Sequence, residues 1–140
     1  MAWQKKSVFF AVVILVAGLL PGAQVAVAGG LDVSFSVPTS VNAAAAFNIT
    51  VNVHNGSTTD SFTFNKVAAG YLTADMKVKG PYEVYTTSHT LGPGDSTSFS
   101  FSFKILYGSG TIVPVVVMLA QDSYQGQNMK GGGVVAVNVN

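Results

Sequence analysis

The chain of 140 residues contains no cysteine, and this absence excludes several classes of protein. A disulfide framework cannot form, so the fold must be stabilised by its hydrophobic core alone. Zinc–thiolate, iron–sulfur and blue-copper sites are excluded because each needs cysteine. An exported domain without disulfides is more typical of a bacterium than of a eukaryotic secretory pathway.

Arginine is also absent, and charge of either sign is scarce. Charged residues make up 9% of the chain, the basic ones are all lysine, and the formal net charge is +1. A near-neutral chain without arginine lacks the electrostatic footprint of a nucleic-acid-binding protein. It also has no basic cluster for an anionic membrane surface. We therefore expect no nucleic-acid partner.

The N-terminus has the pattern of a cleavable secretory signal. Lys5 and Lys6 precede an uncharged apolar run at 7–20, a Pro-Gly pair follows, and the stretch Ala26-Val27-Ala28 provides a small-x-small cleavage site. The run is shorter than the roughly 20 apolar residues of a membrane-spanning helix. An uncleaved N-terminal anchor is the alternative.

We therefore predict a signal peptide at 1–28, cleaved after Ala28, and a single domain at 29–140. The mature chain is expected in the periplasm, on the cell surface or in the extracellular space. It is predicted to contain no membrane span.

The rest of the sequence predicts an all-β domain. In the stretch "STSFSFSFKI", Phe99, Phe101 and Phe103 alternate with serines, which is typical of a strand with one dry and one wet face. Turn residues separate seven such segments, at 31–37, 46–54, 61–67, 82–89, 96–105, 111–120 and 133–139. The region 68–80 is less regular. Seven short strands at this spacing predict an immunoglobulin-like antiparallel β-sandwich.

Two turn motifs carry a resemblance to a known family. An Asn55-Gly56 turn follows the second predicted strand, and a Leu-x-Pro-Gly-x-Ser turn at 91–96 precedes the fifth. In this order of strands and turns the chain resembles the bacterial cell-adhesion-related domains of the immunoglobulin-like superfamily. The resemblance covers most of 33–140, and it implies an adhesion, assembly or spacer role outside the cytoplasm. It carries over no catalytic residue, and family members usually occur in tandem whereas this chain has one copy.

The predicted strand "TIVPVVVMLA" at 111–120 is apolar on both faces, which is unusual in a two-layer sandwich. If it neighbours 133–139, the outward face of the pair forms an exposed apolar patch suited to a protein contact or to self-association. The alternative is that 68–80 or a loop covers this patch. The candidate interaction surface consists of four residues of this strand and two loop tyrosines. These residues are Val113, Val115, Val117, Leu119, Tyr107 and Tyr124.

Tyr107 and Tyr124 lie in glycine-containing loops and are therefore expected to be exposed. Exposed aromatic side chains stack on sugars or fill a pocket of a partner protein. A carbohydrate-binding module with a glycan ligand is thus an alternative function. The other reading of these tyrosines is that they are half-buried at the ends of the core.

The sequence offers little support for a metal site, a cofactor or an enzyme. His54 and His89 are the only histidines, and with methionines they would suit a periplasmic copper carrier. They can equally be exposed polar residues at strand ends. The carboxylates are scattered singly, and the oxygen-rich loop after Asp122 contains only one of them, which is too few for calcium. We predict no catalytic residue, no metal site and no cofactor.

Polar residues of two predicted strands, 46–54 and 96–105, are expected to form one small uncharged sheet surface. Asn48 and Asn55 also begin N-glycosylation sequons. The sequence as a whole predicts an exported, non-enzymatic structural or adhesive domain that acts through protein contacts.

Overall fold

The computed structural model describes residues 21–22, 24–26, 30–73, 75, 77–85, 87–122 and 129–140. These residues contain no helix. They form eleven strands: β1 (Gln24–Ala26), β2 (Asp32–Ser36), β3 (Ser40–Val41), β4 (Phe47–His54), β5 (Phe62–Phe64), β6 (Lys66–Leu72), β7 (Val78–Tyr85), β8 (His89–Leu91), β9 (Ser96–Phe103), β10 (Thr111–Ala120) and β11 (Met129–Val139).

The strands form two main layers. The large sheet has the antiparallel order β1-β11-β10-β6-β7, and the short β3 pairs with β11 in parallel. The three-stranded sheet has the antiparallel order β2-β4-β9, while β5 and β8 form a separate pair. Inward-facing side chains of both main sheets belong to one hydrophobic cluster, so the core lies between the two layers.

The alternation in the sequence correctly predicts the dry and wet faces of β4 and β9, which belong to the three-stranded sheet. Phe101, Phe103 and Ile105 are buried, whereas the serines between Phe99 and Phe103 are exposed. On the neighbouring strand, the asparagine and threonine side chains of β4 lie directly beside these serines in the ladder of β4 and β9. The predicted polar surface of the sheet is therefore confirmed, as is the all-β class.

The region 68–80, which looks irregular in the sequence, instead forms parts of two paired strands. β6 lies beside β10 inside the large sheet, and its residues from Val67 to Leu72 are all buried. A strand covered on both faces shows no alternation of polar and apolar residues, so its period is hidden. β7 runs through the predicted turn Gly80-Pro81. As the last strand in the order it is an edge strand, where proline is tolerated.

β1 lies inside the segment predicted to be a signal peptide. It pairs with β11, and the side-chain amide of Gln24 donates to the Phe35 carbonyl oxygen and accepts from the Phe35 N–H, both at 3.0 Å. β1 is thus the edge strand of the large sheet, and its Gln24 side chain links this sheet to β2 of the three-stranded sheet. Cleavage after Ala28 stays a prediction. In the part of the chain described, no helix is long and apolar enough to cross a membrane.

The sandwich has two ends that carry different loops. The first is called the Tyr107 end. β4 starts at this end, and β9 and β6 finish there, so it carries the loops at 42–46 and 104–110 and the turn at 73–77. At the second, called the Asp95 end, are the turns at 55–61 and 92–95 and the start of the loop after β10.

Candidate protein-contact site

The interpretation of Val113, Val115, Val117 and Leu119 as a contact surface is wrong. All four side chains are at most 2% exposed and belong to the main hydrophobic cluster. They alternate along β10 and point towards the three-stranded sheet, so they hold the two layers together.

The opposite face of β10 is buried as well. Val116 and Ala120 are at most 1% exposed, although they lie outside the main cluster, and Met118 is partly buried. β10 and β11 are neighbours, as expected, with Val115 opposite Val135. The strand is nevertheless enclosed on both sides, so the exposed apolar patch expected there is not found among the described residues.

The exposed apolar side chains lie elsewhere, in the loop between β9 and β10. Leu106 is 60% exposed and Tyr107 is 42% exposed, and they are the exposed large hydrophobic residues among those whose side-chain burial is described. The prediction that Tyr107 is exposed is confirmed, while Tyr124 lies outside the described residues. Leu106 is not among the candidate residues predicted from the sequence. The signal was present, because Leu106 follows the buried Ile105 directly and so falls on the wet side of an alternating strand.

Hydrogen bonds tie this loop to the core and close its turn. The Leu106 N–H donates to the hydroxyl oxygen of Tyr71, at 3.2 Å, and the Tyr71 ring is buried in the core. Thr111 closes a tight turn by donating from its N–H and its hydroxyl to the Gly108 carbonyl oxygen, at 2.8 and 2.6 Å. Gly108 and Gly110 have positive φ angles of 95° and 82°, which other residues rarely adopt. Leu106 and Tyr107 are thus presented on a fixed scaffold.

A second loop lies directly beside the first. The Ala44 N–H donates to the Ile105 carbonyl oxygen at 2.8 Å, and the residues from Ala44 to Ala46 are exposed. Their methyl groups extend the apolar character of the loop at Leu106 and Tyr107. The surface formed by 44–46, Leu106 and Tyr107 is called the apolar tip below.

The turn between β6 and β7 adds charge at the same end. The Thr73 hydroxyl donates to the Asp75 carboxylate, and this bond is the main reason why the pKa of Asp75 lies below its ordinary value. The ammonium group of Lys77 lies 3.8 Å from the same carboxylate, and both side chains are exposed. Lys79 and Lys104 are exposed as well.

At the Asp95 end, the two turns that carry the family resemblance are bonded to each other. The Asn55 N–H donates to the Asp95 carbonyl oxygen at 2.8 Å, and the Gly94 N–H donates to the Asn55 carbonyl oxygen at 2.9 Å. The Asp95 carboxylate accepts from the Gly92 N–H at 2.9 Å, which closes the turn at 92–95. The motif residues therefore serve the fold, and no chemistry follows from them.

A shallow depression lies on the polar sheet surface near this end. Its volume is about 390 Å³, and it is lined by polar and apolar residues of three neighbouring strands, among them Asp32, Val33, Val53, His54 and Ser98. His54 Nδ1 and Ser96 Oγ are 2.7 Å apart and share a hydrogen bond. Tyr107 lies at the opposite end of the sandwich, so the tyrosine and the depression do not form one sugar site.

The metal-site hypothesis gains no support from the described residues. His89 stacks on Phe64, with ring centroids 5.2 Å apart, while His54 bonds Ser96. No group of three or more histidine, aspartate or glutamate side chains that could hold a metal occurs in the described ranges. Asp122 instead exchanges two hydrogen bonds with Asn65, at 2.8 and 2.7 Å.

The two sequons differ in accessibility. Asn55 is fully buried, and its amide nitrogen donates to the carbonyl oxygens of Asp60 and Leu91, at 2.8 and 3.0 Å. A glycan on this nitrogen is incompatible with the folded turn. Asn48 is exposed on the polar surface.

Comparison with known proteins bears mainly on the fold. No protein-family model and no curated protein matches the sequence. The sporulation control protein Spo0M from Bacillus subtilis is similar in structure, with a TM-score of 0.55 and 19% sequence identity over 81% of this chain and 50% of that one. At this identity the likeness shows a shared fold and nothing about function.

Structural neighbours also include a CARDB domain from Pyrococcus furiosus, an immunoglobulin-like, cell-adhesion-related fold crystallised with di-metal ions. It has a TM-score of 0.47 and 13% identity over 79% of this chain and 87% of that one. A β-glucosidase from Listeria innocua has a TM-score of 0.45 and 12% identity, and the match covers 16% of the enzyme. Both likenesses are too distant to carry an argument about this chain's activity.

Proposed function

We propose that the chain is an exported, non-enzymatic adhesion or assembly domain that contacts a protein partner through its apolar tip. The observation that carries the proposal is the pair Leu106 and Tyr107, exposed side by side on a hydrogen-bonded loop. Exposed apolar side chains in this setting are typical of contact sites.

The chemistry of the tip favours a protein partner. Aromatic residues are enriched at the energetic centres of protein interfaces, because a ring buries a large area and has few rotatable bonds. The loop at 104–110 is already fixed by Tyr71 and Thr111, so docking orders little additional chain. The cell-adhesion-related resemblance of the two turns points to the same class of function, by analogy of fold.

Site-specific photo-crosslinking tests the proposal in cells that export the full chain. A photoreactive amino acid at position 107 should form a protein adduct, and Leu106→Ser should reduce its yield. The matched control is the same probe at Ser100, which is exposed on the polar surface opposite Thr50, outside the depression, and should give no adduct.

The absence of any protein adduct at position 107 would contradict the proposal. Binding to glycans that is lost in Tyr107→Ala would then favour the carbohydrate-binding alternative.

A further inference from the structure

Charged side chains are divided unevenly between the two ends of the sandwich. Among the described residues, the Tyr107 end carries Lys77, Lys79, Lys104 and Asp75, a net charge of +2. The Asp95 end carries Asp32, Asp60, Asp95, Asp122, Lys66 and Lys130, a net charge of −2. In a chain with so little charge, this separation makes the two ends electrostatically complementary.

The Asp95 end also has a depression whose shape and chemistry suit the Tyr107 side chain of the other end. The depression of about 390 Å³ lies beside Asp32 and His54 at the edge of this end. Such a concavity has room for an aromatic ring, and the carboxylate and serine groups around it can accept a hydrogen bond from a phenol. The carboxylates of Asp32 and Asp60 at this end can pair with the lysine side chains that lie at the same end as Tyr107.

We propose that the occupant of the Asp95 end is a second copy of this chain, docked through its apolar tip. Tyr107 of one copy enters the depression, while Lys79 and Lys104 face Asp32 and Asp60 of the next copy. The inference rests on the proposed function of the tip and goes further by naming the partner. Because the two docking surfaces differ and lie at opposite ends, a docked pair keeps one free surface of each kind, and the contact extends head to tail into an open filament.

Two variants and their mixture test the geometry. Leu106→Ser/Tyr107→Ser removes the tip, and Asp32→Lys/Asp60→Lys reverses the charge of the Asp95 end. The aspartates at 95 and 122 are left intact because they bond within the fold. Each variant alone should be monomeric, whereas an equimolar mixture should form a one-to-one dimer and nothing larger, because only one intact interface remains. Analytical ultracentrifugation of protein recovered from the exported fraction measures these masses.

Salt dependence provides an independent measurement on the unmodified protein. Raising the salt concentration from about 0.02 M to 0.5 M shortens the Debye length, so head-to-tail association should weaken by about tenfold or more. Ser36→Lys serves as the control, because it adds a positive charge to the exposed polar surface opposite Thr50, outside the depression and away from Lys104, and should leave association unchanged. Circular dichroism should show that all variants stay folded.

The outcomes separate this inference from the proposed function. A charge-reversed variant that still dimerises alone would indicate tip-to-tip contact and overturn the head-to-tail arrangement. Unmodified protein that stays monomeric at all concentrations would overturn self-association. If position 107 then still crosslinks to a different protein, the proposed function stands and only the identity of the partner is wrong.

Discussion

The side-chain amide of Asn55 donates a hydrogen bond to the carbonyl oxygen of Leu91, 36 residues further along the chain, at 3.0 Å. The same amide donates to the Asp60 carbonyl oxygen and its oxygen accepts from the Ser57 N–H, so one buried side chain ties two turns together. Buried polar groups of this kind are costly to leave without partners. Asn55 therefore explains why the turn motifs occur together in one sequence.

Replacing Asn55 should destabilise the domain strongly. Asn55→Ala removes the donor to the carbonyl oxygens of Asp60 and Leu91 and the acceptor for the Ser57 N–H, and we expect a loss of about 2–3 kcal/mol. Asn55→Asp should cost more, because a buried carboxylate cannot donate to either carbonyl. Urea denaturation measures both, with the exposed Asn48→Ala as a control expected to change stability by less than about 0.5 kcal/mol. Equal losses for Asn48→Ala and Asn55→Ala would contradict the burial difference between the two sequons.

The core of the three-stranded sheet allows a comparison between adjacent residues. Phe101 is buried and its ring packs edge-on against Phe103, with centroids 6.4 Å apart. Phe101→Ala should cost roughly 3–5 kcal/mol, the usual range for a buried phenylalanine. Ser100→Ala, on the exposed face, should change the free energy of unfolding by less than about 0.5 kcal/mol. Thermal denaturation of the two variants measures both changes in stability. Similar losses of stability would mean that the strand is covered on both faces.

The predictability of this fold depended on where each strand lies. Strands of the three-stranded sheet have one wet face, so the alternation around Phe101 is visible in the sequence and the prediction is correct. β6 is covered on both faces, so no alternation marks it, and β7 passes through Pro81 because it is an edge strand. β1 and β3 are too short to have a recognisable period.

The contact site was harder to predict than the fold. The sequence from Val113 to Leu119 is unbroken by polar residues and therefore suggested an exposed apolar face, but both faces of β10 are largely buried. Tyr107 was found because it lies in a glycine-rich loop. The separation of charge between the ends could not be deduced from the sequence, because the pairing of β6 with β7 and the direction of β9 decide that the lysines at 77, 79 and 104 lie at the same end.

Enclosure of β10 on both faces leads to a prediction for two double variants. Val115→Lys/Val117→Lys places two charges in the main core, and Val116→Lys/Met118→Lys places them on the opposite, also covered face. Because burial of an unpaired charge is very costly, both variants should fail to fold. Circular dichroism reports the loss of strand signal. A folded Val116→Lys/Met118→Lys protein would show that its face is open in solution and would restore it as a candidate contact surface.

The last prediction concerns β1, which lies on the removed side of the predicted cleavage site. In a chain that keeps its N-terminus, Gln24→Ala removes both hydrogen bonds to the Phe35 backbone and should cost about 1 kcal/mol. Gln24→Glu keeps the acceptor but places a carboxylate oxygen beside the Phe35 carbonyl oxygen, so it should not restore the stability lost in Gln24→Ala.

In the exported protein, cleavage after Ala28 makes the N-terminus Gly29, and Gln24→Ala then has no effect on its stability. Mass spectrometry of the exported chain determines the first residue, and thermal denaturation of the exported and uncleaved forms completes the comparison. Removal of β1 would leave the N–H and C=O groups of β11 that pair with it without partners. The exported form should therefore also melt at a lower temperature than the uncleaved one. An exported chain that begins before Gln24 would show instead that β1 belongs to the mature domain and that the cleavage site lies upstream.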